Sequence, residues 1–355
     1  MRRTDPLIVG GGPAGSAAAI ALALGGASPL LIERHAEPRD TVCGGFLGWD
    51  ALAALQRLGM DPWALGAQPI RSVRIIAGHR VIERPLPALA AGLSRHTLDR
   101  ALLERTAALG VEIRRGVAVR RIEGDMLHLA DSQTLIAEAI FLATGKHALR
   151  GSPREDVPRE TRLGLRSTLP DCPDLAGWIE LHLIDGGYVG LLRQEDGRIN
   201  LSLSIAADRL SRAGGTPDAL MTMLADEAPR LAERVGGAAD WTAVAAVPYG
   251  WRARTTAPGL FRLGDQAAVI ASVVGDGIAI ALASGRAAAG AWLQGGAAAA
   301  PAFQRGFAAR AHRPIAIAEL ARTAAERPRI AAAVLAILQI PGMVGAVARL
   351  TRIGP

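Results

Sequence analysis

Apolar residues first gather in a short unbroken run at residues 6–9, closed by a glycine cluster, which predicts a buried strand. The Ala-rich stretch at 14–24 is apolar on every side and stops at Gly25-Gly26, the pattern of a buried helix with a glycine end. Residues 29–33 form a second short apolar run. A strand, a Gly-rich turn, a helix and a strand within this length make a parallel βαβ unit. After a loop at 39–48, apolar positions at helical spacing predict a helix over 49–59, and weak alternation with β-branched residues predicts a hairpin over 72–86. Residues 96–109 read as an amphipathic helix with Leu98, Ala101, Leu102 and Ala108 on one side. Strands at 111–113, 117–122, 126–129 and 139–143 follow, ending at Thr144-Gly145.

Beyond Arg150 the pattern changes. A Pro- and charge-rich linker runs to Arg162, and strands follow at 164–167, 178–183, 188–194 and 199–205, with Glu195-Asp196-Gly197 as a hairpin turn. This block reads as antiparallel sheet. A helix at 218–235 leads back, at 259–263 and Gly264-Asp265, to the texture of the first part, and from Gly277 the chain is helical and Ala-rich. No fixed-period repeat occurs. The organisation implied is a discontinuous α/β domain (1–70, 93–150 and 250–290), an inserted antiparallel-sheet domain (71–92 and 151–249) and a helical C-terminal region (291–355).

Composition narrows the class. The 355 residues are 50% hydrophobic and 21% charged, which excludes a disordered chain. Two cysteines, Cys43 and Cys172, lack metal-ligand spacing, exclude a disulfide scaffold and fit a reducing, cytoplasmic compartment. Net charge is +7, yet Lys146 is the only lysine and the arginines are scattered singly without interleaved aromatics, so nucleic acid is not an expected partner. A signal peptide is not expected either, because glycines and Pro13 interrupt the would-be apolar region. Residues 330–348 are uncharged but cut by Pro341-Gly342; two short apolar helices that cap a pocket or touch a membrane surface fit better than one span.

Gly10-Gly11-Gly12-Pro13-Ala14-Gly15 fits G-x-G-x-x-G between a strand and a helix, with Glu33 at the end of the next strand. Gly10 permits the tight turn, Gly12 lets backbone approach a pyrophosphate, Gly15 allows close packing, and the helix N-terminus supplies amides. Glu33 would accept both hydroxyls of an adenosine ribose, which suits FAD or NAD.

Four landmarks in order, Gly10 to Gly15 with Glu33-Arg34, Arg95-His96-Thr97-Leu98-Asp99, Ala143-Thr144-Gly145, and Gly264-Asp265 followed by Gly275-Asp276-Gly277-Ile278, resemble the signature of geranylgeranyl reductases and flavoprotein aromatic hydroxylases over roughly residues 5 to 290. The resemblance implies a Rossmann-like FAD domain of three layers (ββα) with an inserted substrate domain, FAD as cofactor and NAD(P)H as transient reductant. It places Arg95 at the pyrophosphate, Asp265 at the ribityl chain and Gly277-Ile278 at the flavin pyrimidine edge, with Pro13, Ala14, Arg34, Val119, Gly145 and Gly264 also around the cofactor. Cys43-Gly44-Gly45 resembles the Cys-Gly-Gly loop beside the flavin in geranylgeranyl reductases, and Gly186-Gly187-Tyr188 their substrate strand. Gly190 and Arg193 stand where that group carries an aromatic residue and a proline, and Ser272 replaces a proline.

Cys43 and Tyr188 are the candidate catalytic residues, as a flavin-side thiol and a proton donor; a small packed cysteine and a packing tyrosine are the bland alternatives. His96, His147 and His182 have no partners at metal spacing and read as structural. No second G-x-G-x-x-G follows a later strand, so a nicotinamide would visit the flavin transiently. The expected substrate is an apolar or aromatic small molecule. Double-bond reduction is the leading expectation, with oxygen-dependent hydroxylation and electron transfer from a membrane-associated flavoprotein as alternatives.

Overall fold

Five short strands form a parallel sheet in the order Leu260–Arg262, Ile140–Leu142, Leu7–Val9, Leu30–Glu33, Glu112–Arg115 in the computed structural model, which describes residues 2–158, 162–236 and 239–354. Alternation within the strands divides their side chains between two faces. Ile8, Leu31 and Phe141 pack with helices on one side, and Phe141 stacks on Phe261 with ring centroids 4.6 Å apart. Leu7, Val9, Leu30, Ile32, Ile140 and Leu142 pack on the other side against a four-stranded sheet containing Val119–Glu123, Met126–Leu129 and Thr134–Ala137. The result is the expected three-layer α/β domain.

The Ala-rich segment is the helix Pro13–Leu24, with Ala17, Ala18 and Ala19 fully buried. It packs on the helix Gly277–Gly295, where a Cβ at Gly285 would lie 2.3 Å from the Ala14 carbonyl oxygen. Small side chains on both helices allow this approach.

An eight-stranded sheet stands over the strand ends, in the order Ala239–Val247, Arg162–Leu169, Ile199–Ala206, Gly187–Arg193, Trp178–Ile184, Gln68–Ala77, Arg80–Gly92, Phe46–Leu47. It is antiparallel except where Trp178–Ile184 runs parallel to Gln68–Ala77, so the inserted sheet is mixed at the junction with the hairpin. That hairpin is longer than the expected 72–86, because a register shift between Ile70 and Ser72 lets pairing continue to Gly92.

Several other expectations are corrected. The helix expected at 218–235 is two helices, Pro217–Glu227 and Pro229–Ala232, because Pro229 has no N–H and clashes with the preceding turn. Strands Ala239–Val247, Thr134–Ala137 and the two-residue Phe46–Leu47 carry too little apolar alternation to be seen in the chain pattern. In the helix Arg95–Ala108, Ala108 is exposed, and Asp99 occupies the buried face in its place.

The C-terminal region consists mainly of the helices Ala300–Ala325, Pro328–Leu338 and Met343–Leu350. Gly342, at φ +83°, breaks the apolar segment, and the last two helices meet at 108°. No single helix among the described residues is long and apolar enough to cross a membrane.

Candidate active site

The parallel strands end in loops that open into a cleft of about 490 Å³ beneath the eight-stranded sheet. The first of these is the glycine loop. Gly10 has φ +108°, and a Cβ there would lie 2.4 Å from the Ala143 carbonyl oxygen. At Gly15 a Cβ would lie 1.9 Å from the Gly10 carbonyl oxygen, so the helix starts against the turn. Gly12 is different: a Cβ there would meet only the Arg95 guanidinium, at 3.3 Å, leaving the cleft side of the backbone open to a ligand. No side chain caps this helix and no acidic residue occupies its first turn, so its leading amides and positive dipole end are available to an anion. Pro13 and Ala14 line the cleft with Gly12. Glu33 accepts the Gly11 N–H at 2.7 Å and the His35 N–H at 2.9 Å, which fixes its carboxylate beside the loop. Arg34 points to solvent and donates to His35.

Arg95 forms a two-toothed ion pair with Asp99, at 2.9 and 2.7 Å, and donates to the Thr41 hydroxyl at 3.2 Å. The Cys43 sulfur faces the same guanidinium. Asp99 holds this cation charged against the cost of its burial. Glu195, from the hairpin turn, accepts the Ser94 N–H at 2.9 Å and hydrogen-bonds the Ser94 and Thr97 hydroxyls, fastening the start of the Arg95 helix to the upper sheet.

The Cys43-Gly44-Gly45 loop lines the cleft and is held from above. The Asn200 side-chain amide donates to the Cys43 and Gly44 carbonyls at 3.0 and 2.9 Å, and Arg166 orients Asn200 at 2.8 Å while bonding Asp40 at 2.7 Å. Gly45 has φ +69°, the left-handed region glycine tolerates.

On the opposite wall, Gly145 and Gly264 turn at positive φ, and Gln266 donates at 2.8 Å to both the Gly145 and His147 carbonyls. Asp265 does not cap a helix; its carboxylate lies 3.4 Å from Lys146 Nζ, whose ammonium it holds above its ordinary pKa. Lys146 thus lines the cleft.

Gly277 and Ile278 begin the helix Gly277–Gly295 at the cleft, and a Cβ at Gly277 would meet nothing within 4 Å. Asp276, just before it, is fully buried and does not cap the helix; it pairs with Arg352 and accepts the Ile353 N–H at 3.2 Å. Burial pushes its carboxyl above the ordinary range while Arg352 pulls the other way. The Arg352 guanidinium also lies 4.4 Å over the Trp49 ring.

Tyr188 is buried on the upper sheet. Its hydroxyl and that of Tyr249 both hydrogen-bond the Ser272 hydroxyl, the latter at 2.5 Å, so the serine that replaces the expected proline joins two phenols at the cleft wall. Burial pushes the Tyr188 phenol well above its ordinary pKa. Beyond this cluster the cleft is apolar, with Val73, Ile75, Leu181 and Leu183 from the sheet and Val334 and Leu338 from the C-terminal helices. Gly190 lines the same space, and a Cβ there would lie 3.3 Å from the Ser202 hydroxyl.

The structure brings together at the cleft Gly12, Pro13, Ala14, Cys43, Gly44, Gly45, Arg95, Gly145, Tyr188, Gly264, Asp265, Gly277 and Ile278, with Gly10, Gly15 and Glu33 shaping the loop behind. Val119 does not line the cleft; it is half-buried in the four-stranded sheet, two residues past Val117, whose N–H donates to the Glu33 carbonyl at 3.1 Å. The chain pattern passed over Asn200, Arg166, Tyr249 and Arg352, and read Glu195 only as part of a turn. Asn200 and Arg166 carried a signal, as a buried amide and a buried cation within segments that already read as strands.

These residues fit FAD: open backbone at Gly12, two uncapped helix starts, the Glu33 carboxylate and the Arg95 cation. The FAD binding domain family matches residues 3–135. Menaquinone reductase of Mycolicibacterium smegmatis is 28% identical over 314 residues, 81% of this chain and 76% of that protein. Menaquinone reductase of Mycobacterium tuberculosis is 30% identical over 313 residues, 80% of this chain and 75% of that protein. Digeranylgeranylglycerophospholipid reductase 2 of Methanopyrus kandleri is 27% identical over the same shares of each chain, 80% and 75%. Among solved structures, the flavin-dependent brominase Bmp2 superposes with a TM-score of 0.80 at 19% identity, covering 99% of this chain and 93% of that one. A geranylgeranyl bacteriochlorophyll reductase-like protein from Thermoplasma acidophilum does so with a TM-score of 0.72 at 18% identity, covering 89% and 85%. At these identities the structures speak for the fold alone.

Proposed function

The chain belongs to the superfamily of FAD-dependent oxidoreductases that includes geranylgeranyl reductases and flavoprotein monooxygenases, and on that premise we propose that it reduces a carbon–carbon double bond in an apolar, prenyl-like chain with electrons from NAD(P)H. The observation that carries this reading is the cleft. The Cys43-Gly44-Gly45 loop and the Gly277 helix start line it together with Val73, Ile75, Leu181, Leu183, Val334 and Leu338, so an apolar molecule held among these side chains would share the space with the flavin site. The relatives named as reductases of menaquinone and of a digeranylgeranyl lipid, aligned over three quarters of their length, support it.

Bound FAD supplies the chemistry of accepting hydride from a nicotinamide and passing it on. The chain's own residues do the rest. Arg95, the Gly12 backbone and Glu33 would hold the dinucleotide, and the Gly277–Gly295 helix start would stabilise negative charge on the flavin. Hydride addition to one alkene carbon requires a proton at the other, and Tyr188 Oη, at the cleft wall and linked through Ser272 to Tyr249, is the group we assign to hold it. The apolar walls exclude water from the reacting bond.

The test is product analysis. FAD-loaded protein is incubated without oxygen with NADH or NADPH and a quinone bearing an unsaturated prenyl tail. The proposal expects one double bond saturated, two hydrogens gained, per nicotinamide oxidised. A product that gains one oxygen under air instead establishes the hydroxylase reading, and an unchanged tail under both conditions defeats the proposal.

A further inference from the structure

The two helices that roof the cleft are apolar on both sides. Along Pro328–Leu338, Ala331 and Leu335 are buried and Val334 and Leu338 line the cleft, while Ile330 and Ile337 are 40% and 49% exposed. Ile340, 52% exposed, follows at the break, and Leu350, 41% exposed, ends the second helix. Leu320, on the preceding helix, lines the cleft and is nevertheless 72% exposed, which places the mouth of the cleft beside these side chains. A helix bathed in water puts polar residues on its outer face. Here no charge occurs from 330 to 348, no acidic residue follows Glu326, and the exposed Arg327, Arg329 and Arg349 flank the apolar stretch at its two ends.

The geometry separates lying on a membrane from crossing it. The helices meet at 108°, with Gly342 at φ +83°, so they do not form one straight span. Arg80 donates to the Ala332 carbonyl at 3.2 Å and Arg84 to the Gln339 carbonyl at 2.6 Å, so the strand Arg80–Gly92 ties down the first of these helices along its length and caps its C-terminal end. Isoleucines outward, guanidinium groups at the edges and a firm attachment below are what an element resting in the headgroup boundary requires.

We propose that the outer face of these helices docks on an anionic phospholipid bilayer, with Ile330, Ile337, Ile340 and Leu350 entering the acyl boundary and Arg327, Arg329 and Arg349 on lipid phosphates. An apolar substrate then passes from the bilayer through the mouth at Leu320 without crossing water. The purpose of docking rests on the apolar-substrate reading above; the docking itself is measured without a substrate.

The FAD-loaded protein is floated with vesicles of phosphatidylglycerol and phosphatidylcholine, and with vesicles of phosphatidylcholine alone. Wild type is expected to float with the anionic vesicles and much less with the neutral ones. The pair Ile337→Glu and Ile340→Glu should reduce flotation at least tenfold, and the set Arg327→Gln, Arg329→Gln and Arg349→Gln should remove the preference for anionic lipid. Both variants should keep flavin content and turnover of a short water-soluble alkene. The proposal is overturned if wild type fails to float, if the variants float like wild type, if wild type resists extraction by high salt and carbonate as a spanning protein would, or if it self-associates without lipid and the glutamate pair makes it monomeric, which would assign the face to a second copy. Protein that floats but saturates no double bond would leave docking standing and remove the functional reading alone.

Discussion

Arg352 forms a buried ion pair with Asp276, tying the end of the chain to the residue that precedes the Gly277–Gly295 helix at the flavin site. Breaking a buried pair from one side leaves an uncompensated charge. Arg352→Gln should therefore destabilise the fold by about 3 kcal/mol near neutral pH. The Asp276 carboxyl is already raised by burial, so without the cation it binds a proton in the folded state more readily than in the unfolded chain. A group protonated only in the folded state makes stability fall as pH rises, so the loss should be smaller in acid than at neutral pH. Denaturant midpoints across pH check this, and Asp276→Asn on the Arg352→Gln background should recover part of the loss.

Gly12 and Gly15 have different duties and should fail differently. A Cβ at Gly12 meets only the Arg95 guanidinium, at 3.3 Å, whereas at Gly15 it collides with the Gly10 carbonyl at 1.9 Å. Gly12→Val should give folded, colourless apoprotein with a melting temperature close to that of wild-type apoprotein. Gly15→Val should fail to fold. Circular dichroism with flavin absorbance separates the two, and full flavin content in Gly12→Val would contradict the dinucleotide assignment.

Tyr188→Phe removes one phenol from the hydroxyl cluster and leaves Tyr249 on Ser272. If Tyr188 holds the proton for the alkene carbon, the variant should lower kcat for double-bond reduction by 10²-fold or more while flavin reduction by NAD(P)H stays within about twofold. Equal losses in both half-reactions would make the residue structural.

Glu180 sets the acid limit of the upper sheet. Burial works against its charge, but hydrogen bonds from His182 at 2.9 Å and Arg74 at 2.8 Å prevail and hold its carboxyl at about 2, below the ordinary 4.5. A carboxylate depressed in the folded state contributes stability above its unfolded pKa and loses it as pH falls through the folded one. The contribution, on the order of 3 kcal/mol, should vanish between about pH 4.5 and about pH 2. Glu180→Gln should abolish that part of the pH slope in urea unfolding.

The parallel sheet and glycine loop were legible because continuous apolar strands, an all-apolar helix and a motif with strict backbone demands leave few alternatives; Gly10 at φ +108° is such a demand. What escaped depends on distant partners. Arg352 meets Asp276 across 76 positions and Asn200 meets Gly44 across 156, separations no local pattern encodes. Ser272 looked like a departure from the family pattern, and only the folded chain shows it between two tyrosine hydroxyls.

The most direct measurement of the central claim is a single turnover. Protein carrying FAD, reduced anaerobically by one equivalent of NAD(P)H, is mixed rapidly with a prenylated quinone or a prenyl lipid while flavin absorbance is followed. The account predicts reoxidation without oxygen, at a rate that depends on the alkene, with a matching amount of saturated tail recovered. Flavin that stays reduced until air enters, and then yields an oxygenated product, would contradict it.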